Sequence, residues 1–422
     1  MSAAEGSGAH LTEAQRLDWL RLIRTDSIGP QTFRALINRF GGAAAAIDAA
    51  PRLAAQKGRS LVIADLDACR REMDALAVMG GRLLALGEPE YPAALRAIHA
   101  PPPLISVLGD ASVLSRPMVA VIGSRNASAA GLAFTERVVR DLAAAGFVIA
   151  SGLARGVDAR AHQASLGMGT VAALAGGLDR VYPPEHVGLA QDICARGAVI
   201  TEMPLGWEPR GRDFPRRNRI VAGLALGTLV IEASRGSGSL ITAKYAADEG
   251  REIFAVPGSP LDPRAEGTNG LLRDGATLCT QADDVLNVLL PMAEGRAPPQ
   301  LPLFRETEAV AATEPLWDET DLFYEANVPT TVAGLAFDEP LRPAPSPAPS
   351  VSNAAASRSG PQGANLHAVV ESLLGPSPVG LDDLVRAVGA PVAEVRSALL
   401  DLELEGRLER HGGGLVSLLS KN

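Results

Sequence analysis

Val119-Ala120-Val121-Ile122-Gly123-Ser124-Arg125-Asn126-Ala127-Ser128 is an apolar run that stops abruptly in small polar residues and one arginine. A short run with β-branched members suits a strand covered on both faces. From Gly131 onward, Leu132, Val138, Val139 and Leu142 carry the spacing of a helix. The unit is therefore strand, loop, helix. A helix N-terminus offers backbone N–H groups to an anion, and Gly123 leaves room for close approach. Arg125 is then placed to clamp a phosphate. A second reading stays open here, in which Gly123 and Ser124 only turn the chain and Arg125 is a solvated loop residue.

Further apolar runs follow at Phe147 to Ala150, Thr170 to Leu174, Ala198 to Thr201, Thr228 to Glu232 and Glu252 to Val256, with helical patterns between them. Strands alternating with helices specify an α/β domain, a Rossmann-like doubly wound parallel sheet. Ligands of such sheets sit beyond the carboxyl ends of the strands. The loops there are Gly123-Ser124-Arg125, Ser151 to Asp158, Gly176-Gly177-Leu178-Asp179 and Ser234 to Ser239, each containing glycine. Together they describe a crevice lined by amides and hydroxyls, an anion-binding surface. Gly-x-Gly-x-x-Gly is absent after the first strand and no P-loop occurs anywhere, so nucleotide cofactors of those kinds are not expected.

Before the strand near Thr228 lies Arg210-Gly211-Arg212-Asp213-Phe214-Pro215-Arg216-Arg217-Asn218-Arg219, where five arginines meet one acidic residue. Arginine's planar fork suits phosphates, and Phe214 could stack on a base, worth roughly 1–3 kcal/mol. Alternatively Phe214 is core and some arginines pair with Glu202, Asp213 or Glu232, with Arg217 and Arg219 the stronger candidates for a structural role. Asp158 and His162 are four residues apart, but Asp158 is expected to cap a helix. No nucleophile has an adjacent base, and no histidine cluster suggests a metal. The crevice reads as one that binds and does not cut.

The chain's 422 residues are too many for one ordinary core. With 47% hydrophobic residues, 21% charged and a net charge of −9, the expectation is a soluble protein whose nucleic-acid site, if any, is a local basic patch. Cys69, Cys194 and Cys279 are spaced for neither disulfides nor zinc, and no stretch reaches the roughly 18 apolar residues of a membrane span, so a cytoplasmic location without membrane contact is expected.

Residues 1–85 read as a helical domain of SAM or helix-hairpin-helix type. Ser27-Ile28-Gly29-Pro30 breaks two helical runs, and a plain helix hairpin is preferred because Pro30 lacks a donor. Tyr91 to Leu95 and Pro101 to Ile105 read as an extended connector into a domain spanning 86–290. Residues 291–363 turn to proline, alanine and serine, as a flexible tether does. Within it Leu316 to Tyr324 is acidic and aromatic, either a partner-docking segment or a functionless patch. Residues 364–422 follow the helix and strand order of a winged helix. Its third helix carries Glu394, Asp401, Glu403 and Glu405 against Arg396, which disfavours duplex DNA and points to protein contact or regulation.

Gly123-Ser124-Arg125 with Ser128, Ser151 to Ala159 with His162, Gly177-Leu178-Asp179 with Tyr182-Pro183, Phe214-Pro215 with Arg217-Asn218-Arg219, and Ser237 to Ala243 together resemble the DNA-processing protein A family (DprA/Smf). The resemblance implies a homodimeric single-stranded DNA-binding protein, without cofactors and not an enzyme, that protects incoming DNA and loads the RecA recombinase in natural transformation. It places the phosphate-holding pocket on Ser124 and Arg125 and a basic position on Arg216; Ser128, Arg155, Arg217, Ser237, Gly238 and Ser239 are further phosphate-binding candidates along the crevice, with base stacking on Phe214. Many relatives carry lysine where this chain has Arg216. The rival expectation is a nucleoside-monophosphate hydrolase of a related Rossmann-like type. Against it, Ser237-Gly238-Ser239-Leu240-Ile241-Thr242-Ala243 lacks the glutamate such enzymes place downstream.

Overall fold

Thr12 starts the first helix, α1 (Glu13–Arg24), through a reciprocal cap: its hydroxyl accepts from the Gln15 amide at 3.2 Å, and the Gln15 side chain accepts from the Thr12 amide at 2.9 Å. Pro30 opens α2 (Pro30–Phe40), where its missing N–H costs nothing, and left-handed Gly41 closes it. With α3 (Ala43–Gln56) and α4 (Leu66–Val78) these build the expected helical segment, whose core includes Trp19 and Phe33 edge to face at 4.9 Å. The computed structural model describes residues 10–56, 58–295, 363–375, 378–405, 407–411 and 415–418. Leu316 to Tyr324 and most of the expected tether lie outside these residues. The chain forms two units, Met1–Leu322 and Phe323–Asn422.

In the first unit the helices lead into β1 (Arg82–Ala85), α5 (Ala93–Arg96), β2 (Leu104–Gly109), β3 (Met118–Ile122), α6 (Ala129–Ala144), β4 (Val148–Ser151), α7 (Val157–Ser165) and β5 (Thr170–Ala173). The chain continues through α8 (Val187–Arg196), β6 (Ala198–Thr201), α9 (Asp213–Leu224), β7 (Gly227–Val230) and α10 (Gly238–Asp248). It ends with β8 (Glu252–Ala255), α11 (Glu266–Arg273), β9 (Thr277–Leu278) and α12 (Ala282–Ala293). The sheet order is β1-β2-β6-β5-β4-β3-β7-β8-β9. From β6 to β9 every pairing is parallel, whereas β2 runs antiparallel to β6 and β1 antiparallel to β2. The sheet is thus mostly, not wholly, parallel.

Three local expectations need correction. The connector after Tyr91 contains a helical turn and a full strand, because Leu104 to Val107 are all buried against β1 and β6. β1 lies in the segment expected to be helical, yet it extends the sheet. Helix α12 runs through Pro291, so the tether cannot begin there.

The N-terminal helices are fastened to the sheet by charge as well as by apolar packing. Arg16 donates to the Leu83 carbonyl at 2.7 Å and to both oxygens of buried Glu88, which also accepts from the Leu11 and Ala85 amides. Burial alone would raise the Glu88 carboxyl, but the Arg16 and amide hydrogen bonds outweigh it and hold the group below its ordinary range.

β3 is fully buried and sits between β4 and β7, where the order of connections reverses. The opening decapeptide therefore ends at the topological switch point, where the crevice of such a sheet lies.

The second unit is assembled from α13 (Gly363–Leu373), β10 (Val379–Gly380), α14 (Leu381–Val388), α15 (Val392–Leu404), β11 (Leu408–His411) and β12 (Leu415–Leu418), with sheet order β10-β12-β11. It is the expected winged helix, with β10 added to the two strands read from sequence. The turn at 412–414 lies outside the described residues.

Candidate nucleic-acid interface

The loop after β3 is shaped by its neighbours. Gly156 adopts φ +73, and a Cβ there would lie 2.2 Å from the Ser124 carbonyl. Only glycine lets the β4 loop come so close, and the Val157 amide then donates to that same carbonyl at 3.2 Å. Ser124 Oγ accepts from the Asn126 amide at 3.1 Å, which tightens the turn and directs Arg125 outward. The Arg125 guanidinium rests 5.2 Å from the centre of the Phe214 ring. Phe214 meets Tyr182 edge to face at 5.6 Å, so guanidinium and two rings form one half-exposed cluster. Among the described residues Arg125 has no carboxylate partner.

The N-terminus of α6 is not the open anion site expected of it. Ser128 caps it, accepting from the Gly131 amide at 2.9 Å, and is itself buried. Its hydroxyl and amide both donate to Glu232, at 2.5 and 2.9 Å. A Cβ on Gly131 would lie 2.6 Å from that carboxylate. The protein thus places its own anion at the head of α6, and Ser128 is occupied by it. Burial raises the Glu232 carboxyl and the Ser128 hydrogen bonds offset part of the rise. The head of α10 differs. Ser237 caps it through the Ser239 amide at 3.3 Å, its hydroxyl meets that of Ser239 at 2.7 Å, and Gly238 is exposed. The amides of Ser239 and Leu240 turn back to Ser237, so the donor this end offers to solvent is the amide of exposed Gly238.

The arginine-rich segment separates into roles because most of it is helical. Consecutive residues point about 100° apart around a helix. Arg217 is directed inward: it is buried, donates to the Gly152 carbonyl and to that of Ala173 at 2.7 Å, and bonds Asn218 Oδ1 at 3.2 Å. Buried Asp158 lies near it and accepts from the Gly152 and Ala154 amides at 3.2 and 3.3 Å. Burial lowers the Arg217 guanidinium to about 10, with Asp158 opposing, so it stays charged at neutral pH. Arg217 is therefore a strut beneath the site, the structural role that the arginine-rich segment itself suggested, and not a phosphate contact. Asp158 ties down the preceding loop, not its own helix, whose cap is Gly156. Arg216 points outward and bonds Glu202 Oε1 at 2.9 Å, while the other Glu202 oxygen takes Arg219. Arg155 is exposed and paired with Glu185.

Comparison with known proteins agrees with this architecture across all three parts. The family model described as DNA recombination-mediator protein A matches residues 82–290, a DprA-like N-terminal HHH domain matches 13–75, and a DprA winged helix domain matches 353–414. A protein Smf of Synechocystis sp. is 33% identical over 344 residues, covering 79% of this chain and 79% of that protein. The chain belongs to the DprA/Smf family. DNA processing protein DprA of Bacillus subtilis is 36% identical to it over 222 residues, 52% of this chain and 75% of the relative. The X-ray structure of DprA from Streptococcus pneumoniae superposes with a TM-score of 0.56 at 30% identity, covering 66% of this chain and 99% of that one. The HHH match favours the helix-hairpin-helix reading of the N-terminal helices over the plain hairpin.

In this DprA/Smf chain the candidate acid-base residues are committed to structure. His162 is fully buried and its Nδ1 meets Thr170 Oγ1 at 2.8 Å. That hydroxyl already donates to the Ile149 carbonyl, so the ring nitrogen donates. Burial, helped by the charges of Arg217 and His186, lowers the imidazole to about 3. His186 Nδ1 bonds the Leu153 carbonyl. Among the described residues no group of three metal-ligating side chains converges, and no helix is long and apolar enough to cross a membrane. Cys69 and Cys279 are buried, and burial pushes the Cys279 thiol up to about 12.

Of the acidic partners read from sequence, Glu202 does pair with arginines, Asp213 takes the Trp207 indole and the Arg210 amide, and Glu232 takes Ser128. Tyr182 as a ring against Phe214, and Trp207 beneath Arg210, escaped the sequence reading. Isolated aromatics in loops carry no periodicity that marks them.

Proposed function

We propose that this DprA/Smf protein binds single-stranded DNA along the carboxyl edge of its sheet and acts in recombination without catalysing a reaction. The observation that carries the reading is Arg125, a guanidinium without a carboxylate partner held over Phe214 at the switch point. Such a pair offers a cation to a phosphate and a ring to a base, neither of which selects sequence. The exposed head of α10 and the outward Arg216 extend the phosphate track, with Ser124, Ser237, Gly238, Ser239 and Arg155 along it. Arg216 and Arg155 each exchange a carboxylate for a phosphate when DNA arrives. The names of the relatives, DNA processing protein and DNA recombination-mediator protein, support the same reading. We extend it to protection of incoming strands, loading of RecA in natural transformation, action as a homodimer, and a cytoplasmic location.

The test is fluorescence anisotropy of labelled single-stranded and duplex oligonucleotides over a salt series. The expected result is preference for single strands, with log K falling by about 0.7 per phosphate contact for each decade of salt. Absence of binding at low salt sinks the proposal. The rival hydrolase would need a free carboxylate on this edge, and Glu232 is engaged by Ser128. Release of free base from a nucleotide mixture would restore it.

A further inference from the structure

Arg125 over Phe214 is not the sole pairing of its kind on this edge. The Arg210 guanidinium lies 5.2 Å from the centre of the Trp207 ring, the same separation as Arg125 from Phe214. Like Arg125, Arg210 has no carboxylate partner among the described residues, whereas Arg155, Arg180, Arg216 and Arg219 each have one. Trp207 and Arg210 are held by one residue. Buried Asp213 accepts the Trp207 indole N–H and the Arg210 amide on the same oxygen, each at 2.9 Å, and Phe214 follows it directly in the chain. The Trp207 backbone is also held, its amide donating to the Pro204 carbonyl at 3.2 Å and its carbonyl accepting from the Gly177 amide at 3.0 Å. Arg210 itself is exposed.

The indole has its polar atom satisfied, its orientation set and part of its ring exposed, and the guanidinium stacked on it is exposed to solvent. Guanidinium planes and aromatic rings are the surfaces on which unpaired bases stack, and a free guanidinium also neutralises a phosphate. We propose that Trp207 with Arg210 forms a second nucleotide subsite, so that a single strand crosses the N-terminus of α9 from the Arg125–Phe214 pair to the Arg210–Trp207 pair. The proposal rests on the single-strand-binding reading above. It gives Asp213 the role of a positioning residue that sets the spacing of the two subsites.

The chain has three tryptophans, of which Trp19 is fully buried and Trp207 part-exposed, so in the full-length Trp317→Phe protein Trp207 is the solvent-accessible reporter. Titration with a short oligothymidylate should quench its fluorescence in step with the anisotropy of the labelled strand. Trp207→Leu and Arg210→Gln should each raise the Kd about tenfold, and Arg210→Gln should lower the salt slope by about one phosphate. Arg125→Ala should move the midpoint of the quench and keep its amplitude at saturation. Binding by anisotropy with unchanged Trp207 emission and an unchanged Kd in Arg210→Gln overturns the second subsite while leaving the first standing. Arg210 is exposed, so that variant keeps the test valid if Trp207→Leu fails to fold. Absence of any binding overturns both.

Discussion

Glu202 holds Arg216 at 2.9 Å, yet the two side chains are unequally free, at 6% and 44% exposure. The carboxylate cannot move: its other oxygen takes Arg219, and its main-chain carbonyl takes Arg24 of α1 at 2.9 Å. Arg24 is also paired with Glu72 of α4, so a site residue and the N-terminal helices share one anchor. Arg216 is the mobile member and can leave for a phosphate, at the cost of the bond it gives up. Arg125 gives up no such bond. Arg125→Ala should therefore weaken single-strand binding about tenfold or more, and Arg216→Ala about three- to fivefold, across all sequences. Anisotropy titrations of both variants check the ranking, and a larger loss from Arg216→Ala would contradict it.

Arg217→Met should act on stability before it acts on DNA. Removing the guanidinium leaves the Gly152 and Ala173 carbonyls and the buried Asp158 without it. Leaving a buried acceptor without its donor costs roughly 1–3 kcal/mol for each group. Urea unfolding should show the loss. A variant with wild-type stability and weakened binding would return Arg217 to the phosphate site.

Gly156→Ala combines a left-handed backbone with a Cβ 2.2 Å from the Ser124 carbonyl. The β3 and β4 loops must separate, which displaces Arg125 from Phe214. Both the melting temperature and the single-strand affinity should fall. Gly188→Ala in α8, away from the site, is the control, because a Cβ there meets nothing within 4 Å. Equal effects from the two substitutions would refute the account.

His162 gives the acid side of the stability curve a defined sign. Burial first, and then the charges of Arg217 and His186, lower it from its ordinary 6.5 to about 3. The unfolded chain takes up the proton near pH 6.5 and the folded chain does not. The contribution is complete above that pH and is lost as pH falls toward 3, by roughly 4–5 kcal/mol at most. His162→Gln should flatten the decline in unfolding free energy between pH 6 and 4. Parallel declines in the two proteins would remove His162 as the cause.

Ser128→Ala removes a helix cap and a hydrogen bond to Glu232. It should cost about 1–2 kcal/mol of stability and leave single-strand affinity unchanged. A selective loss of affinity would mean that Ser128 contacts phosphate after all.

Much of this protein is legible in the linear chain. The runs 119–122, 147–150, 170–174, 198–201, 228–232 and 252–256 stand out as strands, each within a residue or two of its final bounds, because parallel strands covered on both faces are largely apolar. Their alternation with helical periods dictates the layered fold, and the glycine-bearing loops mark the binding edge. The antiparallel strands β1 and β2 were hidden, since the first follows a run of helices and the second follows the prolines 101–103, outside the strand-helix alternation that marks the others. Among the arginines the chain singles out Arg217 and Arg219 for a structural role but does not give the partner of any of them, since Arg125, Arg210, Arg216 and Arg217 are chemically the same residue. Tertiary structure turns Arg217 inward beside Asp158, leashes Arg216 to Glu202, and leaves Arg125 and Arg210 stacked on rings without a direct ion pair among the described residues. The physical reason is that a side chain's type sets which interactions it can make, while burial and the nearest carboxylate set which one it does make.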